Sequence, residues 1–109
     1  MAHWTSQFRR GYLELCILNH LARKADHGYQ IVLRLRKLGG LEIRESSVYP
    51  VLARLRSDGH VVVHKEPSPS GPPRSVFSLS DTGQERLRIL NAYWDTLTDS
   101  IHALRSEEA

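Results

Sequence analysis

Cysteine is nearly absent: Cys16 is the only one in 109 residues. No intrachain disulfide can form, and a structural zinc site built from several cysteines is excluded. Such usage fits a reducing compartment, so a cytoplasmic location is expected. Long apolar runs are missing as well. The longest uninterrupted ones span four residues, Leu15 to Leu18 among them, far short of the roughly 20 that a membrane-spanning helix needs. The N-terminus also lacks the basic-then-apolar profile of a signal peptide. There is no Gly-rich phosphate loop. Cys16 and His20 lie four apart on an apolar helical face with no third ligand at hand, and His60 and His64 lie about 13 Å apart along a strand. Neither pair makes a metal site, so no metal, no cofactor and no enzymatic activity are expected.

What remains is an ordinary globular composition, 40% apolar and 25% charged, in a chain with room for one modest core. A formal net charge of +3 hides a strong asymmetry. Residues 1–80 carry 12 Lys and Arg against 6 Asp and Glu, whereas residues 81–109 carry 3 against 6. A basic N-terminal region points to a polyanionic partner, and the acidic remainder to a separate task. Two parts are expected, 1–80 and 81–109.

Periodicity divides the first part. Leu13, Ile17, Leu21 and the adjacent row Leu15, Leu18, Ala22 give a broad apolar stripe from Tyr12 to Ala25, the first helix. Asp26, His27 and Gly28 break it. Tyr29, Val32, Leu35 with Ile31 and Leu38 form a second helix that ends at Gly39-Gly40. An extended piece from Leu41 to Ile43 leads to a third helix, Ser46 to Asp58, with Ser46 or Ser47 as its cap. Pro50 requires that helix to begin within a few residues of it, because proline is tolerated where backbone N–H groups lack partners anyway. Val48, Val51, Leu52 and Leu55 face inward, Ser47, Tyr49, Pro50, Arg54 and Asp58 face outward, and Gly59 ends the helix. Val61 to Val63 and Val76, Phe77, Leu79 read as a hairpin whose long tip holds the run from Pro67 to Pro73, flanked by Lys65 and Arg74. Three helices followed by a hairpin are the winged helix-turn-helix plan: a mostly α fold with a β-hairpin wing.

The second part starts at Ser80 or Asp81 and runs on as one helix. Leu87, Leu90, Trp94, Leu97, Ile101 and Leu104 repeat at alternating spacings of three and four, a heptad seam for dimerisation. One winged-helix unit cannot easily cover it. A homodimer is therefore expected, with this helix packed against its twin and against the other subunit's first helix.

Several segments together resemble the PadR family of bacterial transcriptional regulators. They are Gly11-Tyr12-Leu13-Glu14 with Ile17-Leu18, His27-Gly28-Tyr29-Gln30-Ile31, Ser47-Val48-Tyr49-Pro50-Val51-Leu52 with Arg54-Leu55, and Gly71-Pro72-Pro73-Arg74 leading to Leu79-Ser80-Asp81-Thr82-Gly83. Tyr-Pro within the third helix is the most specific. The chain departs from the family in its Pro/Ser-rich wing tip and in Phe77, where tyrosine is common.

The resemblance implies a dimeric winged-helix regulator, in particular a repressor, on a double-stranded DNA operator. It implies groove-facing roles for Ser47, Tyr49 and Pro50 and phosphate contacts for Tyr29, Lys65 and Arg74. The residues themselves add Ser46 and Arg54 to the polar face of the third helix, and Arg9 and Arg10 as further phosphate contacts. In some relatives a tryptophan of the last helix stacks flat aromatic ligands between subunits, which makes Trp94, with Leu97, the expected place for a small aromatic effector. The rival reading is a protein–protein adaptor that uses Trp94 and the acidic tail Glu107-Glu108; a minor one is RNA or nonspecific nucleic-acid binding.

Overall fold

The computed structural model describes residues 3–39 and 42–107, with side chains from Phe8 onward. Four helices and a small sheet follow one another as α1 (His3–Arg23), β1 (Asp26–His27), α2 (Gly28–Leu38), α3 (Glu45–Ser57), β2 (Val61–Ser68), β3 (Gly71–Leu79) and α4 (Asp81–Ser106). The architecture is the expected one, a mostly helical winged helix-turn-helix with a long last helix.

The core forms where the apolar stripes of the first three helices converge. Leu13, Ile17, Leu18 and Leu21 of α1 meet Ile31, Val32 and Leu35 of α2 and Val48, Val51, Leu52 and Leu55 of α3, with Ile43, Val61 and Leu87 closing the edges. Burial of this much aliphatic surface is what orients α3. The expected stripes are wider than the core, however. Ala22 and Leu38 are exposed, and Leu15 and Cys16 are only partly covered.

Helix boundaries differ from expectation at three places. First, α1 starts nine residues before Tyr12, because residues 3–11 carry no apolar stripe to mark them and the exposed Gly11 does not interrupt the helix. Second, neither Ser46 nor Ser47 caps α3. The cap is the extended Arg44 (φ −130°, ψ 154°), which makes no side-chain capping bond, while its carbonyl accepts from the amides of Ser47 and Val48. Third, Pro50 lies in the second turn of α3, where it has no N–H to give the carbonyl of Ser46. Gly59 takes the left-handed conformation (φ 82°) that ends the helix, as its position requires. Leu41, the expected start of the extended piece, and Gly40 lie outside the described residues.

The wing is not a bare hairpin with a long tip. β2 and β3 pair from Val61↔Leu79 to Ser68↔Gly71, which leaves only Pro69 and Ser70 in the turn. An irregularity after Glu66↔Arg74 absorbs Pro67, Pro72 and Pro73, which cannot sustain a regular ladder. A third strand is added on the inner side. Asp26 and His27 pair antiparallel with Phe77 and Val76, giving the order β1-β3-β2. Two residues are too few to leave a periodic signal.

Ser80 caps α4 by accepting from the amide of Gly83 at 3.1 Å. The first turns of α4 dock on the core through Leu87, with Leu90 partly buried, and further along Asn91 and Asn19 exchange two amide hydrogen bonds at 3.0 and 3.1 Å. Beyond that point the helix leaves the core. Among the described residues, no helix is long and apolar enough to cross a membrane.

Candidate nucleic-acid interface

The outward face of α3 follows from its inward one. Because Val48, Val51, Leu52 and Leu55 are buried, Ser46, Ser47, Tyr49, Pro50 and Arg54 are left on the solvent side. Tyr49 stands at the corner between α2 and α3. Its ring lies so close to the first residue of α2 that a β-carbon on Gly28 would come within 2.6 Å of Cε1. Glycine at 28 therefore makes room for the ring, leaving Tyr49 41% exposed beside Tyr29, which is 48% exposed. Partial burial, the Glu45 carboxylate and Tyr29 all raise the Tyr49 phenol above its usual range. It stays protonated and can donate a hydrogen bond.

Cations gather at the N-terminal end of α3. Arg9 and Arg10 of α1 and Arg44, together with Ser46 and Ser47, line an open cleft of about 470 Å³. Glu42 shares the cleft and lies 4.0 Å from Arg9. At the wing, Lys65 donates to Ser75 Oγ at 2.9 Å, and Arg74 is opposed by Glu66. Successive pairs on a ladder point to opposite faces, so Lys65 and Arg74 stand on opposite sides of the wing.

Arg54 is engaged from within the chain. Its Nη2 donates at 2.8 Å to Oε1 of Glu14, a carboxylate of α1 that is only 11% accessible; Arg86 of α4 donates to Oε2 from Nε at 3.0 Å. Burial alone would raise the Glu14 carboxyl, but hydrogen bonds from Arg86 and Arg54 and their positive charge outweigh it and hold the group below the usual carboxylate range. A depressed folded-state value contributes stability above the unfolded value, and that contribution is lost as pH falls through the folded one. Accordingly, the stability gap between the wild type and Glu14→Gln in urea denaturation should be full at pH 7 and shrink below about pH 4. A gap independent of pH would show that the ionised carboxylate is not what Gln replaces.

With α3, its tyrosine corner, the arginine cleft and the wing in place, comparison with known proteins is decisive. The model of the transcriptional regulator PadR-like family matches residues 17–89. The chain belongs to that family. Three solved structures show the same fold over nearly the whole chain. A Streptococcus transcriptional regulator is 33% identical with a TM-score of 0.83, covering 92% of this chain and 98% of its own. A PadR-like regulator from Bacillus cereus is 28% identical (TM-score 0.85; 94% and 99%), and a PadR family regulator from Eggerthella lenta is 30% identical (TM-score 0.81; 94% and 88%). None of the curated proteins matches the chain. Membership makes this a transcriptional regulator and not an enzyme.

In this PadR-like regulator the heptad residues of α4 separate into two groups. Leu87 is buried in the subunit's own core, and Leu90 packs against that core. Trp94, Leu97, Ile101 and Leu104 are exposed, from 41% at Trp94 to 65% at Leu104, and Tyr93 is exposed beside them. The Trp94 ring meets Tyr12 of α1 at 5.5 Å and an interplanar angle of 39°. Both rings line a cleft of about 360 Å³ with Leu15, Cys16, Asn19, Arg34 and Leu38; Leu97 is not part of it. Burial pushes the Cys16 thiol above its usual range, which favours the protonated thiol near neutral pH. His20 is engaged with β1, its Nε2 lying 2.8 Å from Asp26 Oδ2.

Sequence reasoning missed Glu14, Gly28 and Gly83. A charged residue within Leu13-Glu14-Leu15 carries no local mark of burial, since its partners are 40 and 72 residues away. Only the isolated glycines at helix starts signalled a close approach, without naming the neighbour.

Proposed function

We propose that this PadR-like regulator works as a homodimer that binds a two-fold symmetric double-stranded DNA operator, one α3 per half-site, and represses transcription there. Residues 1–80 form the binding unit, and 81–109 present two such units together. Ser46, Ser47 and Tyr49 read base edges in the major groove, with Pro50 shaping the tip of the helix. Tyr29, Lys65 and Arg74 hold phosphates, and Arg9, Arg10 and Arg44 extend that contact along the backbone. A flat aromatic effector entering beside Trp94 and Leu97 changes the angle between subunits and releases the operator; a coupling of about 1 to 3 kcal/mol suffices for a five- to hundredfold change in affinity.

The observation that carries this reading is the exposed polar face of α3 with three arginines beside its N-terminal end. Positive charge beside a narrow polar helix suits a phosphate backbone better than an apolar protein surface. Fluorescence anisotropy on the DNA flanking the protein's own gene tests it. Affinity should fall by about a thousandfold between 50 and 200 mM salt, and Tyr49→Ala should cost roughly 1 to 3 kcal/mol of binding. Lys65→Ala should weaken binding to all sequences alike and flatten the salt dependence. Salt-independent binding, or unchanged affinity in both variants, would sink the assignment.

A further inference from the structure

We propose that Glu14 is the joint between α4 and the DNA-reading helix, with Arg54 acting as a positioning residue for α3 and Arg86 coupling α3 to the placement of α4. The inference rests on the reading of α3 as the DNA-contacting helix. One buried carboxylate on α1 serves two helices at once. Oε1 is taken by Arg54 of α3 at 2.8 Å, and Oε2 by Arg86 of α4, from Nε at 3.0 Å and Nη2 at 2.9 Å. Both guanidiniums are partly exposed, but the group they share is 11% accessible and has little water to fall back on. Loss of either arginine leaves half of a buried carboxylate unpartnered, which is far costlier than loss of an exposed ion pair.

Geometry makes the joint directional. Arg86 directly precedes Leu87, which is locked into the core, so the first turns of α4 and Arg86 move together. The arginine donates from Nε to one oxygen, with Nη2 of the same guanidinium 2.9 Å from it, so that oxygen is tied to α4 by a charge-assisted bond. Any tilt of α4 then displaces that oxygen, and Arg54 holds the other one. Arg54 in turn follows Tyr49 and Pro50 on the same short helix. With Nη2 committed to Glu14, the Arg54 fork is partly taken up within the chain, so in this proposal its effect on DNA passes through the pose of α3.

The experiment uses the full chain and two readouts. Without DNA, amide hydrogen exchange of residues 45–57 is followed by mass spectrometry; with operator DNA, affinity is measured for the wild-type site and for its single-base variants. Arg86→Ala, which removes a residue remote from the proposed contacts, should speed exchange in α3 and weaken operator binding about fivefold or more. The loss should be equal across base variants, absent when Arg86→Ala is added to Glu14→Gln, and largely restored in Arg86→Lys. Additive effects, unchanged exchange in α3, or no rescue by lysine would overturn the joint. Relaxed preference at a single base pair in Arg54→Lys would make Arg54 a base reader instead. If the wild type binds no DNA, the functional reading fails, while the exchange measurements still decide the joint.

Discussion

Replacing Gly83 with alanine is expected to lower the melting temperature by roughly 10 to 20 °C, equivalent to about 3 kcal/mol. The size follows from what the added methyl meets. A β-carbon at 83 would stand 1.9 Å from the carbonyl oxygen of His60 and 2.9 Å from its carbonyl carbon, backbone atoms with no rotamer to escape into. The same carbonyl accepts from the amide of Ser80 at 3.1 Å, and the neighbouring Gly59 carbonyl accepts from Ser80 Oγ at 2.6 Å and Thr82 Oγ1 at 2.8 Å. These bonds clamp the start of α4 onto the turn between α3 and the wing. To admit the methyl, the clamp must open and Leu87 must leave the core with it.

The sign is as informative as the size. In an exposed helix interior, Gly→Ala stabilises by about 1 kcal/mol. Gly11→Ala provides that comparison, since nothing lies within 4 Å of a β-carbon there. Thermal unfolding at one fixed protein concentration should therefore move the two variants in opposite directions. A melting temperature for Gly83→Ala within 2 °C of the wild type would mean that α4 does not dock against His60.

These two glycines show where sequence reasoning stops. Both lie inside helices, and nothing local distinguishes an open one from one pressed against backbone. By contrast, α2, α3 and the wing strands are legible because their signals are local: Val48, Val51, Leu52 and Leu55 recur at helical spacing, Gly59 marks a left-handed end, and Ser80 sits three residues before the amide it caps. Features made by distant partners leave no such trace. β1 exists because β3 has an edge free for Asp26 and His27, and Glu14 is buried because Arg54 and Arg86 reach it. The proline run illustrates a third case. It reads as a long loop, yet a two-residue turn and an irregular ladder accommodate it, because β2 lies at the sheet edge and, among the described residues, nothing pairs with β3 beyond Val76 on its other side. The polar face of α3 was readable in advance, whereas Arg54's engagement with Glu14 was not.

Periodicity likewise identifies an apolar face without saying what covers it. Leu87 and Leu104 follow the same repeat, yet one is buried in its own subunit and the other is 65% exposed. From Trp94 to Leu104 the uncovered row extends about 15 Å along α4, and the partly covered Leu15 and the exposed Ala22 of α1 add to the unclaimed apolar surface. In the proposed homodimer, a second copy of the chain supplies the matching row. Placing carboxylates at its centre, in the double variant Leu97→Glu/Ile101→Glu, should raise the dimer dissociation constant at least about a hundredfold, because each charge must be buried without a partner or the interface given up. In sedimentation at micromolar concentration the wild type should run as a dimer and the variant as a monomer. Operator affinity should fall with it, since two half-sites are then no longer engaged by one linked pair. The same two carboxylates at His102 and Ser106, exposed on the opposite side of α4, should leave both measurements nearly unchanged, which separates loss of pairing from mere repulsion of DNA by added negative charge. A Leu97→Glu/Ile101→Glu variant that still sediments as a dimer would move the subunit contact away from this row, and the proposed effector position at Trp94 with it.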